Sequence, residues 1–373
     1  MNIVESKILS STLVIEEQEI DIKASTTPSV TIGIPVLNEE EHIERVVQGF
    51  LACGYPNLVE ILIADGGSTD RTREIISLIS QEDARVKLVD NPKKFQSFGL
   101  NKMIDVAKGD VFLRADAHCD YGDDYVKLCV QNLTERKIKN VGGAARFLAE
   151  NLVQAGTAIA VLSIFGNGGA KHYNPSFEGY SDTVPMGCFW KSDLKVLSGF
   201  KESNYTNEDA EINYRIQKVL GGKIYISPDI KLWYYPRKKF TRLARQYFRY
   251  GRGRFLTASM HEGKIPFRSK APFIFVGLML IYLLVDDLLF GSILGSKVVL
   301  GAALMVLLFE SVRKSFKERD YLNNEVWRGK KKMPSSILLS GATFVTLIIM
   351  HISHFTGYGF QLLRARLLRK EGW

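Results

Sequence analysis

The chain has 373 residues, 46% hydrophobic and 24% charged, which excludes a disordered or collagen-like protein and suits about two domains. Its formal charge is +9, but twelve basic residues against the single acid Glu262 fall between Lys231 and Lys270, a local +11. A uniformly basic coat for nucleic acid is therefore excluded, and the positive charge belongs to one stretch with a local task. Cys53, Cys119, Cys129 and Cys188 form no CxxC pair and read as free thiols of a reducing compartment.

Residues 1–28 form a polar leader with patchy alternation around Leu13 and Ile20, enough for one short strand or hairpin. The opening MNIVESKILS places an acid where an export signal needs a basic segment and an apolar core, so the following domain is expected in the cytoplasm. From Val30 to Pro35 the chain is a short apolar β run. The acids after Asn38 then open a helix whose apolar residues fall at 43, 46, 47, 50 and 51. Val59–Ala64 is a buried strand, Asp65–Asp70 a turn and helix start, and Ile75, Ile76 and Ile79 form the next helical face. A third strand covers Val86–Val89, a helix Gly99–Ala107, and a fourth strand begins at Asp110. This alternation predicts an α/β fold with a parallel, doubly wound sheet. In such sheets the loops leaving the strand C-termini converge on one ligand crevice. Three polar loops do so here: Pro35–Glu41, Asp65–Asp70 and Asp116–Asp120. Farther on, an amphipathic helix over Ala210–Leu220 follows Asn207-Glu-Asp209.

The last hundred residues hold three apolar segments: Ala271–Val285, extendable to Phe290, then Val298–Phe309, then Ser335–His351. They predict a multi-pass membrane region over 269–373, with Asp286 and Asp287 at the far interface. The basic loop from Arg313 to Lys332 and the basic tail from Arg364 both favour the cytoplasmic side. Three crossings cannot satisfy both. Residues 236–268 read as basic interfacial helices in the headgroup layer, with Leu243, Tyr247 and Tyr250 on one face.

Asp65, Asp70, Asp116 and His118, on adjacent loops, are the residue types that hold a hard or borderline divalent cation, and such cations commonly arrive with diphosphates. His42 and His172 read as surface or capping residues, and Met186, Phe189 and Trp190 as core. Each signal alone fits a turn or a cap. Their order is more telling: VTIGIPVLNEE, IADGGSTDRT, RADAH, NEDAE and RQYFRY occur in sequence over residues 29–255. Together they resemble the inverting nucleotide-sugar glycosyltransferases of family 2, with a GT-A doubly wound mixed sheet over 29–235. RADAH with the late apolar segments is most similar to the succinoglycan-type exopolysaccharide glucosyltransferases.

The resemblance implies roles by motif. Pro35, Asn38, Glu39, Asp65, Gly67, Arg114 and Asp116 would line the nucleotide sugar, with Asp65 accepting from uracil. Asp116 would carry the divalent cation (Mg2+ or Mn2+). Where the family has a second aspartate this chain has Arg114 before and His118 after, so His118 becomes a second ligand or Arg114 supplies part of the charge. Asp209 would be the catalytic base, with Glu208 beside it. Gln246 and Arg249 match the motif at the acceptor and diphosphate, with Tyr250 in place of tryptophan. The implied partners are a nucleotide-sugar donor, a polyprenyl-diphosphate-linked sugar acceptor and membrane lipid, with no nucleic acid. A processive polysaccharide synthase and a catalytically idle nucleotide-binding scaffold are the alternative readings.

Overall fold

The computed structural model describes residues 27–203, 206–293 and 295–369. The leader strand expected around residues 13–22 lies outside the described residues. Strand β1 (Val30–Val36), helix α1 (Ile43–Leu51), β2 (Leu58–Asp65), α2 (Thr72–Glu82), β3 (Val86–Asp90), α3 (Gln96–Val106) and β4 (Val111–Arg114) follow the expected alternation to within a few residues. Every residue of β1 is buried except Pro35, and six of the eight residues of β2 form a continuous buried run. Such runs need cover on both faces, as crossover helices provide.

After β4 the pattern changes. Short strands β5 (Cys119–Tyr121), β6 (Asn140–Gly142) and β7 (Ala145–Phe147) bracket α4 (Tyr125–Glu135), and α5 (Leu152–Leu162) follows. Then come β8 (Gly179–Tyr180), β9 (Cys188–Trp190), α6 (Glu208–Val219), β10 (Ile224–Ile226) and β11 (Leu232–Tyr234). The main sheet runs β3-β2-β1-β4-β9-β6-β10-β8, and a small second sheet runs β5-β11-β7. Strands β3, β2, β1 and β4 are mutually parallel, whereas β9 is antiparallel to both β4 and β6. The sheet is therefore mixed, and the parallel half carries the three polar loops at one edge.

Helix α7 (Phe240–Met260) leaves the second sheet, followed by α8 (Ala271–Phe290), α9 (Ser296–Lys317) and α10 (Ser336–Leu367). Two of these are long and apolar enough to cross a membrane by length and composition, α8 (mean hydropathy 2.3) and α10 (1.8). The segment Val298–Phe309, expected as a third, does not qualify among the described residues. Its apolar run ends at Glu310, which is buried and holds Ser163 Oγ and Arg313. Helix α10 differs from the expectation too, because it packs lengthwise on the catalytic domain. Its first half meets α5, where a Cβ on Gly156 would touch Ala342, and its second half meets α7, where Gly357 lies on the Phe248 carbonyl. Helix α8 touches α10 near its own start, Phe273 stacking on Tyr358 at 4.4 Å, and only 6% of its apolar window is buried. Asp286 is fully buried at the α8–α9 turn and accepts from the Ser296 amide at 2.8 Å, while Asp287 pairs with Lys297.

Candidate active site

Two of the three loops are sewn together before any side chain faces the crevice. Asn38, at φ 57°, accepts from the Thr69 amide at 2.8 Å, and its own amide donates to Ser68 Oγ. The Glu39 amide donates to Thr72 Oγ1, and Glu40 accepts from the Arg71 amide. Pro35 sits in register with Ala64 at the ends of β1 and β2. Asp65 closes β2, almost wholly buried, and accepts from Ser68 Oγ and amide, the Gly67 amide and Arg73. Burial alone would raise this carboxyl, but the bonds from Ser68 and Arg73 outweigh it and hold it below its ordinary range. Gly67 takes φ +83°, a backbone conformation that costs a side-chain-bearing residue about 1 kcal/mol.

The centre of the crevice is Arg114, the last residue of β4 and 2% exposed. Its guanidinium forks onto Asp209 through one nitrogen and onto Glu208 at 2.9 Å through the other, with Asp116 3.5 Å away. These partners are 94 and 95 residues ahead in the chain. One buried cation thus gathers the RADAH and NEDAE motifs, and its own pKa is pushed up by the three acids. One positive charge cannot neutralise three carboxylates. The strain appears at Asp209, whose pKa is raised to about 7 by burial against the pull of Arg114, with Glu208 and Asp116 adding to the rise. Asp209 Oδ2 also accepts weakly from the Met186 amide at 3.4 Å. A carboxylate poised near neutrality and open to a cleft suits proton abstraction.

Helix α6 is well anchored for this task. Within it, Glu211 and Arg215 form a buried ion pair at 2.6 Å, Arg215 donates to the Leu197 and Gly199 carbonyls, and His261 beyond α7 reaches Glu211 at 3.1 Å. Asn207, in the left-handed region at φ 72°, donates to Thr257 Oγ1 of α7 at 2.7 Å. Gly253 permits this approach: a Cβ there would lie 2.3 Å from Thr206 Oγ1 and 2.6 Å from the Thr206 carbonyl. Gly253→Ala is therefore expected to push the turn carrying Glu208 and Asp209 aside. A displacement near 1 Å should lower kcat by about 10²-fold. Turnover measured beside the melting temperature checks this, because alanine favours the helix and the fold should survive.

Asp116 accepts from Gln96 Nε2 at 3.1 Å, and its amide donates to Tyr121 Oη. His118 lies 3.5 Å from Glu39 and edge-on to the Tyr234 ring. Among the described residues no three His, Cys, Asp or Glu side chains converge to hold a metal ion by themselves. Arg114 is engaged by the protein's own acids.

On α7, Gln246 donates to the Tyr234 and Tyr250 hydroxyls at 3.1 and 3.0 Å. Arg249 is on the exposed side, and its carbonyl accepts from Thr206 Oγ1. The helix face toward the small sheet carries Leu243, Tyr247, Tyr250 and Arg254. Arg254 went unnoticed in the sequence, though its spacing of seven from Tyr247 puts it on the same face. His172 is a correction: its Nδ1 is buried without a hydrogen-bond partner, and burial lowers its pKa to about 3. Met186 and Phe189 are core residues as expected.

The chain is similar to known proteins in sequence and in fold. Residues 31–184 match Glycosyl transferase family 2. Succinoglycan biosynthesis protein ExoA of Rhizobium meliloti (strain 1021) is 36% identical over 249 residues, 66% of this chain and 75% of that protein. The chain belongs to glycosyl transferase family 2. It is also similar to dolichyl N-acetyl-alpha-D-glucosaminyl phosphate 3-beta-D-2,3-diacetamido-2,3-dideoxy-beta-D-glucuronosyltransferase of Methanococcus voltae, 27% identical over 79% of this chain and 89% of that one. Among solved structures, the mannosyltransferase PcManGT from Pyrobaculum calidifontis, in complex with GDP-Man and Mn2+, superposes with a TM-score of 0.52 at 14% identity. That match covers 96% of this chain and 94% of the other. The fold is of the GT-A type, and the chain is a glycosyltransferase.

Proposed function

We propose that this enzyme transfers a hexose from a nucleotide sugar, a UDP-hexose, with inversion onto a polyprenyl-diphosphate-linked saccharide at the cytoplasmic face of a membrane. The observation that supports it most is the junction at Arg114, where the Asp116 loop and the Glu208–Asp209 turn share one crevice. In this reading the sewn loops from Pro35 to Asp70 hold the nucleotide, with Asn38, Glu39, Asp65 and Gly67 around it. Asp209 takes the proton of the acceptor hydroxyl as that oxygen bonds to the anomeric carbon. The bond to the nucleotide diphosphate breaks on the opposite face, inverting the configuration. Glu208 fixes Asp209 through Arg114, and Gln246 and Arg249 present the acceptor end. A Mg2+ or Mn2+ ion, held by Asp116 and His118, would supply positive charge for the diphosphate. The names of the two relatives, in succinoglycan biosynthesis and on a dolichyl phosphate, favour a lipid-linked acceptor in exopolysaccharide or glycan assembly.

A panel of nucleotide sugars offered with a membrane lipid extract and Mn2+, with products read by mass spectrometry, tests this. A single hexose added to a lipid diphosphate is the expected product. Repeated addition would make the enzyme a polysaccharide synthase, and no transfer from any donor would leave only a nucleotide-binding scaffold.

The membrane association rests on α8 and its turn into α9. Twenty residues span about 30 Å, the thickness of a hydrocarbon core. With α10 held along the catalytic domain, the basic loop before it and the basic tail after it share one side. Ile281 and Leu284 are 60% and 59% exposed on α8. The double change Ile281→Glu and Leu284→Glu is expected to abolish flotation with phosphatidylglycerol vesicles, each charge costing about 3 kcal/mol in the bilayer. Unchanged flotation would move the anchor elsewhere.

A further inference from the structure

Beside the crevice, α7 and the segment Lys171–Tyr173 enclose a cluster with one uncompensated positive charge. Arg268 is paired with Asp182 and packs against Gly168. Arg254 has no such partner: among the described residues it meets no carboxylate within ion-pair distance and only touches Ser269 Oγ at 3.4 Å. Arg254 is half-buried, one turn beyond Tyr250 on α7; Tyr173, Tyr250, Arg268 and the Asp182 carboxylate, already paired with Arg268, act on it, and desolvation lowers its pKa. A guanidinium withdrawn from water without a counter-charge is costly, and a bound anion removes that cost. His172 adds a neutral imidazole whose buried Nδ1 lacks a hydrogen-bond partner among the described residues, its ring tilted against Tyr173 at 4.4 Å between centroids. Rings connect this cluster to the crevice: Tyr173 meets Phe147 at 5.8 Å, Phe147 meets Tyr234 at 5.5 Å, and Tyr234 meets His118 at 5.4 Å, while Gln246 joins the Tyr234 and Tyr250 hydroxyls.

We propose that Arg254, supported by Arg268 and His172, binds the diphosphate of the lipid-linked acceptor, while Tyr173 and Tyr250 line the passage from that anion to Asp209. The assignment rests on the glycosyltransferase reading above and adds to it the place of the acceptor's charge. Position favours the acceptor over the donor. The nucleotide loops carry Asn38, Asp65 and Asp116 at the sheet edge, whereas Arg254 touches Ser269, two residues before the first apolar helix. A diphosphate here has its lipid tail beside α8 and its sugar pointing toward the base.

The test titrates farnesyl diphosphate into the full chain in detergent micelles, with UDP and Mn2+ saturating, and follows binding by intrinsic fluorescence. Arg254→Gln is expected to weaken farnesyl diphosphate at least tenfold and Arg254→Lys less than threefold, with UDP affinity unchanged in both. Farnesol should bind all three proteins alike. Equal farnesyl diphosphate affinity in the glutamine variant would overturn the proposal. So would a parallel loss of UDP affinity, which assigns Arg254 to the donor. Dihexanoyl phosphatidylglycerol competing as well as farnesyl diphosphate would also overturn it, giving the site to bulk headgroups. Should UDP fail to bind the unaltered enzyme, the donor reading falls, while the dependence on Arg254 in the absence of UDP still decides the anion site.

Discussion

Replacing Asp209 with asparagine is expected to lower kcat by about 10³-fold, within the range that a general base contributes, while UDP affinity stays nearly unchanged. The amide keeps the size of the side chain and a hydrogen-bonding oxygen toward Arg114, so the turn should hold its place. It cannot accept a proton from the sugar hydroxyl. The unaltered enzyme carries a matching signature in pH. Burial places the Asp209 pKa at about 7, above the ordinary aspartate range, so the carboxyl is protonated below that pH and ionised above it. The free-enzyme kcat/KM is therefore expected to rise with pH through about 7 and then level, and Asp209→Asn should flatten this limb. For stability the sign is opposite. A folded pKa above the unfolded one contributes stability that is full below the unfolded value and is lost as pH climbs through the folded one. Activity and this stability contribution should thus move in opposite directions across the same window, which paired rate and melting profiles would reveal. Turnover unchanged in the asparagine variant would remove Asp209 as the base.

Arg114→Met is expected to produce the largest loss of stability. Among the described residues it removes the one guanidinium that meets Asp209, Glu208 and Asp116, and it leaves their charges in a largely buried site. Breaking a buried pair from one side costs about 3–5 kcal/mol. The deficit should be larger at pH 8 than at pH 5.5, because protonation of the orphaned acids at the lower pH relieves their repulsion. Arg114→Lys should recover part of the stability but not the fork, since one ammonium cannot serve two carboxylates in the same geometry. Melting temperatures of the three proteins at the two pH values check both statements. Equal melting of Arg114→Met and the unaltered chain at pH 8 would contradict the role given to Arg114.

The two expectations rest on different kinds of information in the chain. Asp209 is legible in the primary structure through its place in the ordered motifs, since a pair of acids at a helix start by itself fits a cap. The significance of Arg114 is not local. The residue ends an apolar strand, and nothing within ten residues shows that its partners lie in a helix more than ninety positions ahead. The same contrast separates Gln246 from Arg254. The first is found by motif, whereas the second becomes notable only because the segment at Tyr173 folds over one face of α7. His172 reads as a surface residue for the same reason, since the burial of its Nδ1 shows only in the folded chain.

The parallel half of the sheet, its helices and the three polar loops are legible in the primary structure. Apolar periodicity and turn chemistry act over a few residues, and the parallel strands need little more than their own buried faces. The antiparallel insertion of β9, the partners of Arg114 and the lengthwise packing of α10 on α5 and α7 emerge in the folded chain alone. The reason is physical. Where a charge finds its counter-charge, and which side of an apolar helix meets protein, depends on surfaces that become neighbours only after the chain has closed on itself.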